Sequence, residues 1–158
     1  MNKAELGNIT QYFGSKLPAG RIANRDTRIA IVCLYSSLAA AKRMVDDEIE
    51  TLRKSLVGDK EADVARYGEL MQKSRDEKLT PDERMKAKAE ADAMTECAKI
   101  DADFQAAAGK ILTEQVTADI RKVKLELLYD ALSDCGFPTF SPDIPIAAVE
   151  EIFKPVIE

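Results

Sequence analysis

The side chains with which this chain could do chemistry are carboxylates and thiols, because the sequence contains no histidine. Without an imidazole there can be no Ser-His or Cys-His nucleophile pair, no histidine general base and no histidine-ligated metal or haem. The carboxylates are grouped on two segments that both read as helix. These acidic residues are Asp46, Asp47, Glu48 and Glu50 on the first segment and Asp101, Asp103 and Asp119 on the second.

Carboxylates offered by two facing helices can bind Mg²⁺ or Mn²⁺, as an enzyme acting on a phosphorylated small molecule would require. All-helical nucleotide pyrophosphatases use Glu-x-x-Glu followed by Glu-x-x-Asp, whereas this chain has only Asp47-x-x-Glu50. Basic residues stand among the acids at helical spacing, which favours a solvated, ion-paired helix face. We therefore predict no catalytic residue, no metal site and no cofactor, with a Mg²⁺-dependent enzyme as an alternative.

The three thiols are Cys33, Cys97 and Cys135. Their odd number and wide spacing fit neither a disulfide framework nor a zinc motif, so we expect reduced cysteines and a cytoplasmic protein, or a virion component if the protein is phage-encoded. Cys135 precedes Gly136 at the end of a predicted helix and is predicted to be the most reachable thiol. A helix C-terminus disfavours a thiolate, which argues against a catalytic cysteine.

Composition narrows the possible partners. The formal net charge is −5, which argues against nucleic acid, although the basic start of the chain (Lys3, Lys16, Arg21) keeps a nucleic-acid-associated regulator as a second alternative. The longest apolar stretch, Ile29 to Ala41, is too short to span a bilayer, so we expect no membrane partner. A homo-oligomer or a protein partner remains the expectation.

The segments that carry these residues are organised around one predicted turn. Thr80 has the features of an N-cap, Pro81 fits the first helical position, and Glu83 completes a capping box. Helical patterns extend on both sides, over residues 24–78 and 81–135. The predicted fold is therefore all-α, a long antiparallel, coiled-coil-like helical hairpin that places residue 31 opposite 128 and residue 34 opposite 125.

The first arm has a regular apolar stripe and one weak point. Gly58 is predicted either to end the helix, with Asp59 opening the next one, or to lie within a continuous helix at a cost of about 1 kcal/mol. A kink or short break at 58–59 is favoured over a reversal. The stripe residues recur at helical spacing: Ile31, Leu34, Leu38, Ala41, Val45, Ile49, Leu52 and Leu56.

The two ends of the hairpin differ in hydrophobicity. The tip, roughly residues 59–103, is densely charged and thinly apolar, whereas the base is strongly apolar. We therefore predict a mobile tip and a rigid base. At the base, Arg25 is predicted to pair with Asp134 and Arg28 with Asp130, each pair contributing under about 1 kcal/mol.

The remaining segments are predicted to pack at the base of a single helical domain covering residues 1–158. Residues 1–23 predict a short amphipathic helix and a loop, and residues 136–158 a proline-rich tail that ends in a short helix. The tail is expected to turn back over the base or to reach a neighbouring subunit.

The base also supplies the predicted interaction site. The run from Ile29 to Tyr35 is apolar around the whole helix, a pattern typical of a helix that is buried on several sides. We therefore predict a non-enzymatic structural or protein-interaction protein that self-associates or docks a partner there, such as a phage component, a scaffold or an assembly chaperone. The predicted site residues are Ile31, Leu34, Tyr35, Leu38, Leu125, Leu128, Leu132, Phe137, Phe140, Ile146 and Phe153.

Overall fold

The computed structural model describes residues 1–137, 151 and 153–158 of the chain. Within these residues the fold is all-α, as predicted, with six α-helices, two short 3₁₀ turns and no β-strand. The α-helices are α1 (Lys3–Lys16), α2 (Arg25–Val57), α3 (Glu61–Arg75), α4 (Pro81–Ala93), α5 (Thr95–Thr113) and α6 (Leu125–Asp134). The 3₁₀ turns cover Ala19–Arg21 and Lys154–Val156.

The chain divides into two compact units. Unit 1 consists of Met1–Asp46 and Leu112–Glu158, and unit 2 consists of Asp47–Ile111. Unit 1 therefore contains both chain ends, and unit 2 contains the predicted turn. The single domain predicted over residues 1–158 stays a prediction.

Helix α1 of unit 1 begins with a capping box. The Asn2 side chain accepts a hydrogen bond from the backbone N–H of Glu5 at 2.8 Å, and the Glu5 carboxylate accepts one from the Asn2 N–H at 2.8 Å. Two of the otherwise unpaired N–H groups at the helix start are thus satisfied. Leu6, Ile9 and Phe13 form the buried face of α1, which confirms the predicted N-terminal helix.

Asn24 caps α2, at the start predicted for the first arm. Its side-chain oxygen accepts hydrogen bonds from the N–H groups of Asp26 at 2.8 Å and Thr27 at 3.1 Å. The predicted stripe then follows the inner face of the helix, because helical spacing keeps these apolar side chains on one side. Ile31, Leu34, Leu38, Ala41 and Val45 are buried, and Ile49, Leu52 and Leu56 are half-buried.

A break at Gly58 separates α2 from α3. Gly58 has φ +56°, in the left-handed region that glycine adopts without steric cost, and its N–H donates to the Lys54 carbonyl oxygen at 3.0 Å. The first of the two alternatives is therefore realised, with one difference. Lys60, rather than Asp59, occupies the N-cap position of α3, and it makes no side-chain capping hydrogen bond.

The second arm differs from the single helix predicted over residues 81–135. Met94 interrupts it between α4 and α5, and eleven residues, 114–124, separate the end of α5 at Thr113 from the start of α6. Val116, Ile120 and Val123 in this gap are β-branched, and such residues have lower helix propensity. From 116 to 121, half-buried and exposed residues alternate, which is the period of an extended chain rather than a helix.

Backbone groups of this non-helical segment form hydrogen bonds with the two ends of the chain. At its start, the Lys3 N–H donates to the Glu114 carbonyl oxygen at 3.0 Å, and the Val116 N–H donates to the Met1 carbonyl oxygen at 3.1 Å. Backbone groups that leave a helix must find other partners. The N-terminus of the chain supplies those partners here, through a contact distant in sequence.

The C-terminal end of the chain pairs with the same segment. The Val123 N–H donates to the Val156 carbonyl oxygen at 3.0 Å, and the Glu158 N–H donates to the Val123 carbonyl oxygen at 3.1 Å. Val123 and Val156 are both buried. The described end of the tail therefore packs on its own chain, which is one of the two predicted arrangements.

Unit 2 contains the predicted turn with its capping box. Thr80 accepts from the Glu83 N–H at 3.3 Å, and the Glu83 carboxylate accepts from the Thr80 N–H at 2.9 Å and from its hydroxyl at 2.7 Å. These hydrogen bonds hold the pKa of Glu83 below its usual value. Helix α4 begins at Pro81, as predicted.

Helices α3 and α4 pack against each other in antiparallel orientation. Lys60, the N-cap residue of α3, forms an ion pair with Glu96 of α5, and Arg66 of α3 lies 3.8 Å from Glu90 of α4. The later residue of the first arm thus pairs with the earlier residue of the second arm, as an antiparallel arrangement requires. The predicted register places residues 60 and 66 opposite 99 and 93, three residues beyond the observed partners. The hydrogen bond that the Lys60 ammonium donates to the Glu96 carboxylate raises the pKa of Lys60.

The ion pairs predicted at the base do not form among the described residues. The Asp134 carboxylate instead accepts a hydrogen bond from the Ala23 N–H at 2.8 Å. It thereby satisfies a backbone donor in the loop before α2, whereas an exposed pair with Arg25 would gain little. Arg28 and Asp130 are both exposed and likewise form no ion pair with each other.

Candidate interaction surface

The structure places most of the predicted interaction residues in the core of unit 1. Side chains this deeply buried present almost no surface to a partner. The buried members are Ile31, Leu34, Leu38, Leu128, Leu132 and Phe153, all at most 4% exposed. Leu125 and Phe137 are half-buried, and Tyr35 is 39% exposed. Phe140 and Ile146 lie outside the described residues.

Aromatic contacts help to close this core from within the chain. The Phe13 and Phe153 rings pack edge to face, with centroids 5.5 Å apart, and Tyr12 packs on Phe153 at 5.2 Å. Tyr12 also lies 6.5 Å from Phe137. Such aromatic pairs add to the stabilisation from burial alone. Helix α1 and the C-terminal end of the same chain therefore cover part of this core. From the sequence, this role was predicted for the terminal segments or for a neighbouring subunit.

The opposite side of α2 is exposed, although it carries large apolar side chains. Ile29 is 50% exposed and Val32 is 42% exposed. Both belong to a row that recurs every three or four residues, directly opposite the buried stripe. We call this row the outer stripe: Arg25, Ile29, Val32, Ser36, Ala40, Arg43 and Asp47, all exposed.

Other parts of unit 1 border the N-terminal half of the outer stripe. On one side, the Tyr35 hydroxyl approaches Gly14 of α1 so closely that a β-carbon there would lie 3.1 Å from it. On the other side, the Arg121 N–H donates to the Ser37 hydroxyl at 3.1 Å. The outer stripe thus remains exposed between these two contacts, and Met44 of α2, outside the stripe, is exposed as well.

A shallow cavity of about 300 Å³ adjoins the outer stripe on the Arg121 side. Its two basic residues come from the non-helical segment, and the rest come from one side of α2. The lining residues are Asp26, Ile29, Ala30, Cys33, Arg121 and Lys122. Apolar and charged groups therefore lie side by side, a mixture typical of surfaces that bind proteins.

Cysteine accessibility differs from the prediction. Cys135, predicted as the most reachable thiol, is buried, as is Cys97, whereas Cys33 is half-buried at the cavity. Cys135 lies after α6 and is 7% exposed, and it interacts electrostatically with Tyr12 of α1, a residue distant in sequence. Burial raises the pKa of the Cys135 thiol, Arg21 lowers it, and Asp134 raises it.

The acidic residues singled out from the sequence do not converge. Asp46 pairs with Lys42 at 2.5 Å, and Glu50 lies 3.6 Å from Lys54, one helical turn away in each case. Across the part of the chain that the structure describes, no group of three carboxylate or thiol side chains is arranged to hold a metal ion. Neighbouring cations thus account for two of the acids of the first arm.

Unit 2 contains a larger and more polar groove, of about 620 Å³. Tyr67, Gly68 and Met71 of α3 lie along it, and Asp101 and Gln105 line it from α5. Asp101 is the one residue of the second acidic group that lines this groove, and Asp76 is the other carboxylate there. The groove therefore brings together too few acidic ligands for the Mg²⁺ site considered from the sequence.

Sequence reasoning missed the outer stripe, although its signal was present. An apolar run around the whole circumference of a helix predicts burial on all sides, and the structure buries one side while leaving Ile29 and Val32 exposed. None of the helices in the described ranges is both long and apolar enough to cross a membrane. Comparison of the chain with family models, with curated proteins and with solved structures gave no match.

Proposed function

We propose that this protein is a non-enzymatic protein-interaction component that docks a protein partner through the outer stripe of α2. One observation carries the proposal: Ile29 and Val32 are about half exposed on a helix whose opposite face belongs to the core. Exposed apolar side chains bordered by charged groups are typical of protein-binding surfaces. Their burial by a partner would add roughly 25 cal/mol for each Å² removed from water.

The proposed surface differs from the base residues predicted from the sequence. Ile31 and Leu34 stabilise the fold from inside, and Ile29 and Val32 of the same apolar run are the members offered to a partner. Because one face of α2 is buried in the core, we expect the exposed face to be ordered before it binds. A preorganised surface loses less conformational entropy on association than a mobile one.

The two alternatives gain no comparable support. The Lys3 side chain of the basic arm forms an ion pair with Glu114 at 2.7 Å, which partly neutralises a charge that a phosphate would need. Among the described residues, no three of the acidic side chains considered for Mg²⁺ are grouped to hold a metal ion. A cytoplasmic location, with protein rather than nucleic acid or membrane as partner, belongs to the same proposal and rests on the free thiols and the acidic charge.

The test is site-specific photo-crosslinking in the cells that make the protein. A photoreactive amino acid replaces Ser36, at the centre of the outer stripe, and in a matched control it replaces Ser55, which is exposed on α2 outside the stripe. We expect a discrete protein adduct from position 36 only. The added substitution Val32→Glu should abolish it, because a charge cannot be buried without a partner. No adduct at position 36, or equal adducts at both positions, would refute the proposed function.

A further inference from the structure

We infer that the partner on the outer stripe is a second copy of this chain, with the two α2 helices paired antiparallel about a two-fold axis at Ser36. The inference rests on the proposed function and adds the identity of the partner. Homo-oligomers most often form two-fold contacts in which the same patch serves both subunits. A patch that serves both sides must be complementary to itself, and the outer stripe has this property.

The positions of the stripe are symmetric about Ser36. In an antiparallel pair, Val32 of one copy faces Ala40 of the other, and Ile29 faces Arg43. At the ends, Arg25 faces Asp47. All of these side chains are exposed on α2. At 1.5 Å per residue, the stripe from Arg25 to Asp47 is about 33 Å long, enough for an extended helix–helix contact.

Side-chain size favours a close approach at the axis. Ser36 meets its own copy there, and Ala40 lies one turn away, so the helix backbones can come near each other without a steric clash. The larger Ile29 and Val32 lie to one side of the axis and therefore contact the small or flexible half of the partner's stripe. The aliphatic stem of Arg43 can cover Ile29 while its charge stays in water.

Charge selects the antiparallel orientation over the parallel one. The antiparallel pair places a cation, Arg25, against an anion, Asp47, at both ends of the contact. A parallel pair would place Arg25 against Arg25 and Arg43 against Arg43, which is repulsive. Asp26 is the acidic residue next to Arg25 in the chain. It lines the same cavity as Arg121 and Lys122 of its own chain.

Disulfide trapping tests the position of the axis. Both trapping variants carry Cys33→Ala, which removes the half-buried native thiol; one adds Ser36→Cys and the matched control adds Ser55→Cys. We expect the Ser36→Cys protein to form a covalent dimer under mild oxidation, because residues on a two-fold axis lie opposite each other, and the control to form no covalent dimer. Equal trapping at both positions would overturn the inference.

Charge reversal tests the orientation, with sedimentation equilibrium of the full chain as the measurement. Arg25→Asp and Asp47→Arg should each weaken the dimer roughly three- to tenfold, because each contact occurs twice, and the double variant should restore wild-type affinity. Circular dichroism checks that each variant remains folded. Absence of rescue in the double variant would overturn the antiparallel arrangement.

The crosslinking result separates this inference from the proposed function. A monomer at every concentration, with a photo-adduct at position 36 to a different protein, would refute self-pairing and leave the proposed function standing. A monomer with no adduct at position 36 would refute both. An adduct with twice the mass of the chain supports both.

Discussion

The two compact units contain cores of different composition. Among the described residues, all of the largest fully buried side chains belong to unit 1, including two phenylalanines and several leucines and isoleucines. The core cluster described in unit 2 consists of Leu70, Ala87 and Ala91, with Tyr67, Met71 and Met94 half-buried against it. Since stabilisation by burial scales with the apolar area removed from water, unit 1 gains more from its core than unit 2.

The two cores indicate that each unit is stabilised internally in a different way. Unit 1 joins segments from both chain ends through contacts distant in sequence, so its large side chains offset a large loss of chain entropy. Unit 2 is largely local, because α3 and α4 are neighbours along the chain and a capping box at Thr80 starts the second helix. The mobile tip and rigid base predicted from hydrophobicity remain a prediction, which the following experiments examine.

The largest effect is expected from Phe13→Ala in unit 1. The ring is 2% exposed and packs edge to face on Phe153, so its removal leaves a cavity and breaks an aromatic pair. We expect a loss of about 3–5 kcal/mol in the free energy of unfolding, measured by urea denaturation. Met85→Ala, which truncates a side chain that is 64% exposed, is the control and should be near neutral. Equal losses of unfolding free energy for the two variants would contradict the assignment of Phe13 to the core and Met85 to the surface.

A smaller and more local effect is expected from Leu70→Ala in unit 2. Its neighbours are small or half-buried and can relax into the space, so the loss should be about 2 kcal/mol, at the low end for such truncations. Hydrogen exchange should accelerate in α3 and α4 and stay unchanged in α1. A loss as large as that of Phe13→Ala, or accelerated exchange in α1, would show that the two units do not differ as described.

The capping box should contribute less than either core. Thr80→Ala removes the hydroxyl that accepts from the Glu83 N–H, and we expect a loss of about 1 kcal/mol at neutral pH. Because the folded state lowers the pKa of Glu83, the stabilisation from its carboxylate is complete above the unfolded pKa and disappears as the pH falls through the folded pKa. The difference in melting temperature between the wild type and the Thr80→Ala variant should therefore become smaller towards pH 3. Thermal unfolding at a series of pH values measures it.

Glu83→Gln is the matched control for this pH dependence. It keeps a hydrogen-bonding side chain at the third helical position and removes the titrating group. The loss of stability at acid pH that this site causes should therefore vanish. A difference between wild type and Thr80→Ala that stays constant from pH 7 to pH 3 would contradict the assigned role of the Glu83 carboxylate.

The smallest effect is expected from the exposed ion pair between α3 and α4. Arg66 and Glu90 are 3.8 Å apart in solvent, so a double-mutant cycle with alanine should give a coupling of at most about 0.5 kcal/mol. High salt should reduce this coupling energy towards zero, because it screens exposed charges. A coupling above about 1 kcal/mol would mean that polar contacts, and not the apolar cluster, hold these two helices together.

Local signals in the sequence predicted much of the helical structure. The Thr80 capping box, the glycine break at residue 58 and the buried stripe of α2 all follow from residues within a few positions of one another. Such features depend on short-range hydrogen bonds and on helical periodicity, which a sequence displays directly. The N-terminal helix was predicted for the same reason, although its Asn2 capping box went unnoticed.

The candidate site was less accessible to sequence reasoning. The regular stripe predicted that Ile31 and Leu34 face the core, but the apolar run from Ile29 to Tyr35 did not show that its other side, with Ile29 and Val32, would stay exposed. That exposure depends on which segments cover the helix. The aromatic contacts of α1 and Phe153 lie on one side, and Arg121 approaches at Ser37.

What the sequence determined by itself is where most helices start and stop and which side of each is apolar, because capping and periodicity are local properties. Only the tertiary structure decided that residues 114–124 leave the helix, that Cys135 is buried, and that Ile29 and Val32 stay exposed. The physical reason is common to all three. Backbone donors near Glu114 and Val123 are satisfied by the two ends of the chain, and the burial of any side chain depends on segments far away in sequence.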